Sequence, residues 1–75
     1  MFFTEKELHR FIARSTAKIY NSPVNRIDLP LPRGKEFNEM QFDQVHTWAR
    51  SLKKLGLFSK FVVCHDGILV KREGV

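Results

Sequence analysis

The sequence is poor in cysteine and in long apolar runs. Cys64 is the only cysteine among 75 residues, so no disulfide can form within the chain, as is typical of proteins in a reducing compartment. The longest uninterrupted apolar run covers residues 61–64, whereas a transmembrane helix needs about 20 such residues. Phe3 is soon followed by Glu5 and Lys6, unlike the apolar stretch of a signal peptide. We therefore expect a cytoplasmic protein without a signal peptide or a membrane-spanning helix.

Motifs for catalysis and for metal or phosphate binding are also scarce. The four glycines stand singly, so the chain has no glycine-rich phosphate loop. His9, His46 and His65 lie far apart in sequence, and no pair of them has the spacing of metal ligands. His65 beside Asp66 could act as a general acid or base in a small ribonuclease, which is the one catalytic interpretation that the sequence offers. We expect no enzymatic activity, no cofactor and no bound metal.

Apolar and basic residues are plentiful. Hydrophobic residues make up 43% of the chain and include seven phenylalanines and one tryptophan, which is enough for a small core without disulfides or metals. We expect one compact domain over residues 1–75. Thirteen Lys and Arg residues outnumber eight Asp and Glu residues, and the resulting net charge of +5 suits a polyanionic partner.

A first helix is predicted over residues 4–20. Thr4 can accept a hydrogen bond from the Glu7 amide while the Glu7 side chain accepts one from the Thr4 amide, which is the reciprocal pattern of a capping box. The residue before a proline is pushed out of the α region, so Pro23 should end this helix. Cations recur every four residues on one side of the helix, a pattern typical of a solvated face. These cations are Lys6, Arg10, Arg14 and Lys18.

A second helix is predicted over residues 38–55. Asn38 and Gln41 repeat the capping-box pattern at its start. Gly56 suits the left-handed position of a Schellman motif, which ends many helices. Trp48 lies within the apolar stripe of this helix and is interpreted as a core residue.

A short strand is predicted between the two helices. Ile27, Leu29 and Leu31 alternate there with polar or proline residues. Pro30 and Pro32 share one phase of the alternation, so both missing amides fall on the same edge of the strand. That edge cannot be paired, and we expect the strand at the border of a sheet.

A β-hairpin is predicted over residues 59–72, with a type I′ turn at Asp66-Gly67. This turn sets a register that places Lys60 opposite Glu73. The core face of the hairpin consists of Phe61, Val63, Ile68 and Val70. The outer face near the turn consists of Val62, Cys64 and Leu69.

The element order is therefore α-β-α-β-β. A right-handed crossover from the first strand through the second helix to the second strand leaves room for the third strand between them, which gives the sheet order 1-3-2. We predict an α+β fold, a small two-layer domain with two helices on a three-stranded sheet that ends in a hairpin. A winged-helix-like domain shares this strand order and is the alternative, although few residues separate the first strand from the second helix.

A basic cluster follows the end of the second helix into the hairpin. It consists of Arg50, Lys53, Lys54, Lys60, Lys71 and Arg72. Such a cluster can bind the phosphates of DNA or RNA, although lysines at a helix C-terminus also interact favourably with the helix dipole. We predict a small non-enzymatic module that binds nucleic acid through the helix at 38–55 and the hairpin at 59–72. The sequence leaves the choice between DNA and RNA open.

The alternative is a protein-interaction module, such as an inhibitor or an adaptor. Its surface would be the outer hairpin face of Val62, Cys64 and Leu69, because apolar residues left on a surface tend to mark contact sites. The same face could pack against a second copy of the chain and form a homodimer. The sequence indicates neither a small-molecule substrate nor a membrane partner.

Overall fold

The computed structural model describes residues 1–64 and 66–72 of the chain. Two helices and three strands follow one another in the predicted order. They are α1 (Glu5–Asn21), β1 (Arg26–Pro30), α2 (Glu39–Lys54), β2 (Lys60–Val63) and β3 (Gly67–Lys71). The strands form one antiparallel sheet with β3 between β1 and β2. This arrangement confirms the predicted α+β fold with strand order 1-3-2.

The connection between β1 and α2 distinguishes this fold from its alternative. Residues 31–38 are all described, and they contain no helix. The helix-turn-helix of a winged-helix domain needs a further helix at this point, so the architecture is the one predicted first. Neither α1 nor α2 combines the length and the apolar character that a membrane crossing requires.

Both helices begin with the predicted capping boxes. The Glu7 amide donates to the Thr4 hydroxyl at 3.1 Å, and the Thr4 amide donates to the Glu7 carboxylate at 2.9 Å. In α2, the corresponding bonds between Asn38 and Gln41 are 2.8 and 3.1 Å long. Each box provides side-chain acceptors for two backbone amides that would otherwise have no partner at the start of the helix. The two helix starts are therefore determined by four local side chains.

The helix ends also follow local chemistry. Ser22 caps α1 in an extended conformation, with ψ of 125°, directly before Pro23. After α2, Gly56 adopts the left-handed conformation, with φ of +82°. The Gly56 amide donates to Lys53 at 3.0 Å and the Leu57 amide donates to Leu52 at 3.2 Å, which is the bond pair of a Schellman motif.

One face of the sheet packs against both helices. Ile27 and Leu29 in β1 are buried between exposed neighbours, and Ile68 and Val70 are the buried residues of β3. The buried apolar side chains of the core are Phe3, Leu8, Ile19, Ile27, Leu29, Val45, Ala49, Leu52, Phe58, Ile68 and Val70. Because the helices cover only this face, the opposite, outer face of the sheet is open to solvent.

The N-terminal segment and Trp48 complete the core. The ring of Phe3 stacks on that of Phe37 with centroids 5.3 Å apart. The buried side chain of Gln41 donates to the Phe3 carbonyl oxygen at 2.7 Å, so it serves the helix cap and the N-terminal segment together. Trp48 is half-buried against the core and donates from its indole nitrogen to the Thr16 hydroxyl at 3.0 Å.

The hairpin turns earlier than the sequence predicts. The Cys64 amide donates to the Gly67 carbonyl oxygen at 2.8 Å, so the turn lies between these residues and Gly67 already belongs to β3. Lys60 consequently faces Lys71, whereas its predicted partner, Glu73, lies outside the described residues. The predicted turn at Asp66-Gly67 was therefore wrong by one position.

The cause of this difference is the third strand. Gly67 pairs with Pro30 of β1, and this pairing makes Gly67 the first residue of β3. A rule based on the local turn sequence does not include this long-range contact. The pairing of β2 with β3 is displaced by two positions from the prediction. Because side chains alternate between faces with a period of two, the displacement leaves every side chain on its predicted face.

Candidate functional site

Three basic residues stand side by side on the outer face of the sheet. Lys71 of β3 is the direct register partner of Arg26 on β1 and of Lys60 on β2. All three side chains are exposed, and neighbouring strands lie about 4.8 Å apart. We call these residues the cation row; it runs across the three strands over roughly 10 Å.

The next positions along the strands are less basic. Asp28, Leu69 and Val62 form the second row, and Pro30, Gly67 and Cys64 continue in the third. Val62 is 52% exposed. Gly67 has no side chain, and the outer face around it contains a shallow depression of about 310 Å³. The outer face thus changes from basic to weakly apolar along the strand direction.

The electrostatics of the cation row favour an anionic ligand. Like charges directly opposite each other on neighbouring strands are destabilising. Arg26 is paired with Asp28 at 3.8 Å, but the two side chains are 67% and 72% exposed, and such surface pairs contribute little. An anion placed over the row would relieve the repulsion among the three cations.

The predicted basic residues of α2 lie on the other layer. Arg50, Lys53 and Lys54 are exposed on the solvent side of α2, while its other side packs into the core. The short connection 55–59 joins the end of α2 to the start of β2, so these cations and the cation row lie at the same end of the fold. Sequence neighbours are therefore divided between a helical surface and the outer sheet face.

The environment of Arg72 differs from that of the other residues in the predicted basic cluster. Its guanidinium donates to the carbonyl oxygens of Leu57 at 3.0 Å and of Val24 at 3.2 Å. It also donates to the carbonyl oxygens of Ser22 and Ile19 at the end of α1. These bonds satisfy carbonyls that the last helical turn leaves without helical partners. Arg72 thus joins α1, the lead-in to β1 and the loop after α2.

Sequence reasoning missed Arg26. Its position before the alternation of Ile27, Asp28 and Leu29 indicates an outer-facing side chain, which is the only signal that the sequence contains. The register of β1 against β3 makes Arg26 a neighbour of Lys71, and this pairing joins residues far apart in the chain.

The cations of α1 border a separate groove of about 360 Å³ between α1 and β1. Arg10, Arg14 and Lys18 line it, and Lys18 donates to the Asp28 carbonyl oxygen at 3.0 Å. At its other end, Glu7 forms an ion pair with Lys35 at 2.9 Å. Hydrogen bonds from the Thr4 amide and from Lys35 lower the pKa of Glu7 from 4.5 to about 2.

The histidine and cysteine side chains do not converge. No group of three or more His, Cys, Asp or Glu residues is placed to hold a metal ion within the described part of the chain. His46 packs between the rings of Phe42 and Phe61, with centroid distances of 5.0 and 5.9 Å. Cys64 is exposed. His65, the candidate acid or base, lies outside the described residues.

Comparison with known proteins found no family model, no curated protein and no solved structure that matches this chain. The function is therefore inferred from the arrangement of side chains, and above all from the cation row.

Proposed function

We propose that this chain binds nucleic acid through the sugar–phosphate backbone. The observation that carries this proposal is the cation row, in which Arg26, Lys71 and Lys60 are direct cross-strand neighbours on an open sheet face. Lysine and arginine side chains supply most of the affinity of proteins for nucleic acid by neutralising phosphates and releasing counterions.

A polymer suits this surface better than a single small anion does. The cation row is exposed and flat, whereas sites for small ligands are concave and bury most of the ligand. Further cations lie at the same end of the fold on α2, namely Arg50, Lys53 and Lys54. The net charge of +5 also attracts a polyanion over a longer range. A backbone that crosses the cation row and continues around this end would meet both groups.

The composition of the outer face favours contacts to phosphates over contacts to bases. Within the part of the sheet that the structure describes, the outer face has no aromatic side chain, and stacking on aromatic rings is how proteins hold unpaired bases. Leu69 and Val62 offer apolar contact to sugars, and Asp28 repels phosphate beside them. We therefore expect binding to a duplex with little sequence preference.

A salt titration tests this proposal. Binding of a fluorescent duplex is followed by anisotropy at increasing salt, for the wild type and for the double variant Arg26→Gln/Lys71→Gln. The three phosphate contacts of the cation row contribute about −3 to the slope of log affinity against log salt, to which any contacts on α2 add, and removal of two should make the slope less steep by about 2. DNA and RNA duplexes are compared in parallel.

A matched control separates the cation row from net charge. Arg10→Gln/Arg14→Gln removes the same charge from α1 and should leave the slope unchanged. Lys53→Gln/Lys54→Gln measures how far the backbone extends onto α2. The proposal is wrong if the wild type binds neither duplexes nor single strands at low salt. It is also wrong if the α1 variant loses as much affinity for the duplex as the variant of the cation row.

A further inference from the structure

The two edges of the sheet differ in how they are protected. On β1, Pro30 has no amide to offer to another strand, and Pro32 follows in the same phase. The outward carbonyl of Asp28 accepts from Lys18 at 3.0 Å. Prolines and charged side chains at a sheet edge are known ways of blocking further pairing. The β1 edge is therefore closed.

The β2 edge has no proline, and its one charged side chain, Lys60, lies at the very start of the strand. The bond from the Cys64 amide to Gly67 shows that even-numbered residues of β2 point their backbone groups towards β3. The amides and carbonyls of Phe61 and Val63 consequently point away from the sheet. No backbone group of residues 1–64 and 66–72 bonds to them. The exposed side chain in the middle of this edge, Val62, is apolar and 52% exposed.

We infer that two copies of this chain join through their β2 edges, in antiparallel fashion and about a two-fold axis at Val62. In this register, Phe61 of each copy faces Val63 of the other, and both residues have their backbone groups directed outward. They can therefore exchange amide–carbonyl bonds in both directions, as a hydrogen-bonded pair does. The two sheets become one continuous sheet of six strands.

The side chains are self-complementary in this register. Val62 meets its counterpart in the second copy, and Leu69 lies beside each of them, so that an apolar stripe crosses the joined outer face. Lys60 faces Cys64 of the second copy, so no like charges stand opposite each other at the new edge. The half-buried side chains of Phe61 and Val63 gain cover on the inner face. The β2 edge is thus complementary to the same edge of a second copy.

This dimer extends beyond nucleic-acid binding and does not depend on it. It would place two cation rows on one face, with their Lys60 residues about 13 Å apart along the strand direction, because each lies two residues from the axis.

Cross-linking tests the register directly. Facing residues of a non-hydrogen-bonded pair have Cα atoms about 4.5 Å apart, which suits a disulfide. Val62→Cys in a Cys64→Ser background should oxidise to a covalent dimer at least about tenfold faster than Val24→Cys in the same background. Val24 is a matched control because its exposed fraction is 51%, against 52% for Val62.

Sedimentation in nuclease-treated, nucleic-acid-free buffer provides the second readout. The wild type should show a concentration-dependent monomer–dimer equilibrium. Val62→Lys should raise the dissociation constant at least about tenfold, because two lysines would then face each other, whereas Val24→Lys should leave it unchanged. A wild type that stays monomeric at all concentrations overturns the inference, and so does equal cross-linking of the two cysteine variants. Neither result bears on binding to nucleic acid.

Discussion

Gly67 and Leu29 approach each other so closely that a β-carbon on Gly67 would lie 2.7 Å from the Leu29 carbonyl oxygen. The same atom would lie 3.1 Å from the Cα of Pro30. These neighbours are backbone atoms of β1, which cannot move aside as the end of a flexible side chain could. Gly67 is not among the glycines with positive φ, which are Gly34 and Gly56. The lack of a side chain, and not a left-handed turn, is therefore what this position requires.

Substitution of Gly67 should destabilise the protein whatever the new residue is. We expect Gly67→Ala and Gly67→Asn each to lower the free energy of unfolding by about 1–3 kcal/mol, because both add a β-carbon against β1. Urea denaturation followed by circular dichroism measures this. Asn tolerates the left-handed conformation, so a Gly67→Asn protein as stable as the wild type would indicate a left-handed turn and contradict the close approach.

Arg72 and Lys71 are adjacent, but we expect substitution of Arg72 to affect stability and substitution of Lys71 to affect binding. Arg72→Met removes the bonds to carbonyls at the end of α1 and in the loop after α2. It should lower the free energy of unfolding by about 3 kcal/mol, since bonds from a charged donor contribute about 1.5–3 kcal/mol each. Lys71→Met should change stability by less than about 0.5 kcal/mol and weaken binding to nucleic acid. Chemical denaturation and anisotropy on both variants would reveal any reversal of these roles.

Asp28 is the acidic residue beside the cation row, and its neutralisation should strengthen binding. Asp28→Asn removes a charge that repels phosphate and releases Arg26 from its ion pair. We expect a duplex to bind about threefold more tightly at low salt, with the difference fading at high salt because screening is then effective. Asp43→Asn, an exposed acid on α2, is the control with the same change in net charge. Equal gains from both variants would mean that net charge alone governs the affinity.

The capping box of α1 should lose stability in acid, whereas the capping box of α2 should not. The pKa of Glu7 is lowered by folding to about 2, from 4.5, so its ionised form stabilises the fold fully above the unfolded pKa. This contribution is lost as the pH falls from about 4.5 through about 2. Gln41 occupies the same place in the α2 box and does not titrate.

Glu7→Gln keeps a side chain suited to the capping box and removes the charge that pairs with Lys35. The stability difference between wild type and variant should be constant above about pH 5 and shrink towards pH 2. Amide exchange at the first turns of α1 and α2 locates the effect. A difference that persists unchanged at pH 2 would contradict the assignment to Glu7.

Local chemistry explains why so much of the secondary structure was predictable. The capping boxes at Thr4 and Asn38 and the stop at Gly56 act within one helical turn. Pro30 has no amide to donate to a neighbouring strand, so it indicates an edge strand. The inward and outward faces of β2 and β3 depend only on the period of two. They were therefore predicted correctly although the turn position was wrong.

The candidate site was predictable only in part. Lys60 and Lys71 were named from their place in a basic cluster, and the structure makes them direct neighbours. Arg26 was missed, and the environment of Arg72 could not be foreseen, because both depend on contacts between segments that lie far apart in the chain.

The sequence by itself determined where the helices begin and end, that β1 lies at an edge, and which side chains of the hairpin face the core. Tertiary structure alone decided the register of β3 between its two neighbours. That register recruits Gly67 from the turn into the sheet, places Lys71 between Arg26 and Lys60, and leaves the β2 edge open. The physical reason is that caps and alternation act over a few bonds, whereas register follows from the packing of three strands whose partners are up to 45 positions apart, as Arg26 and Lys71 are.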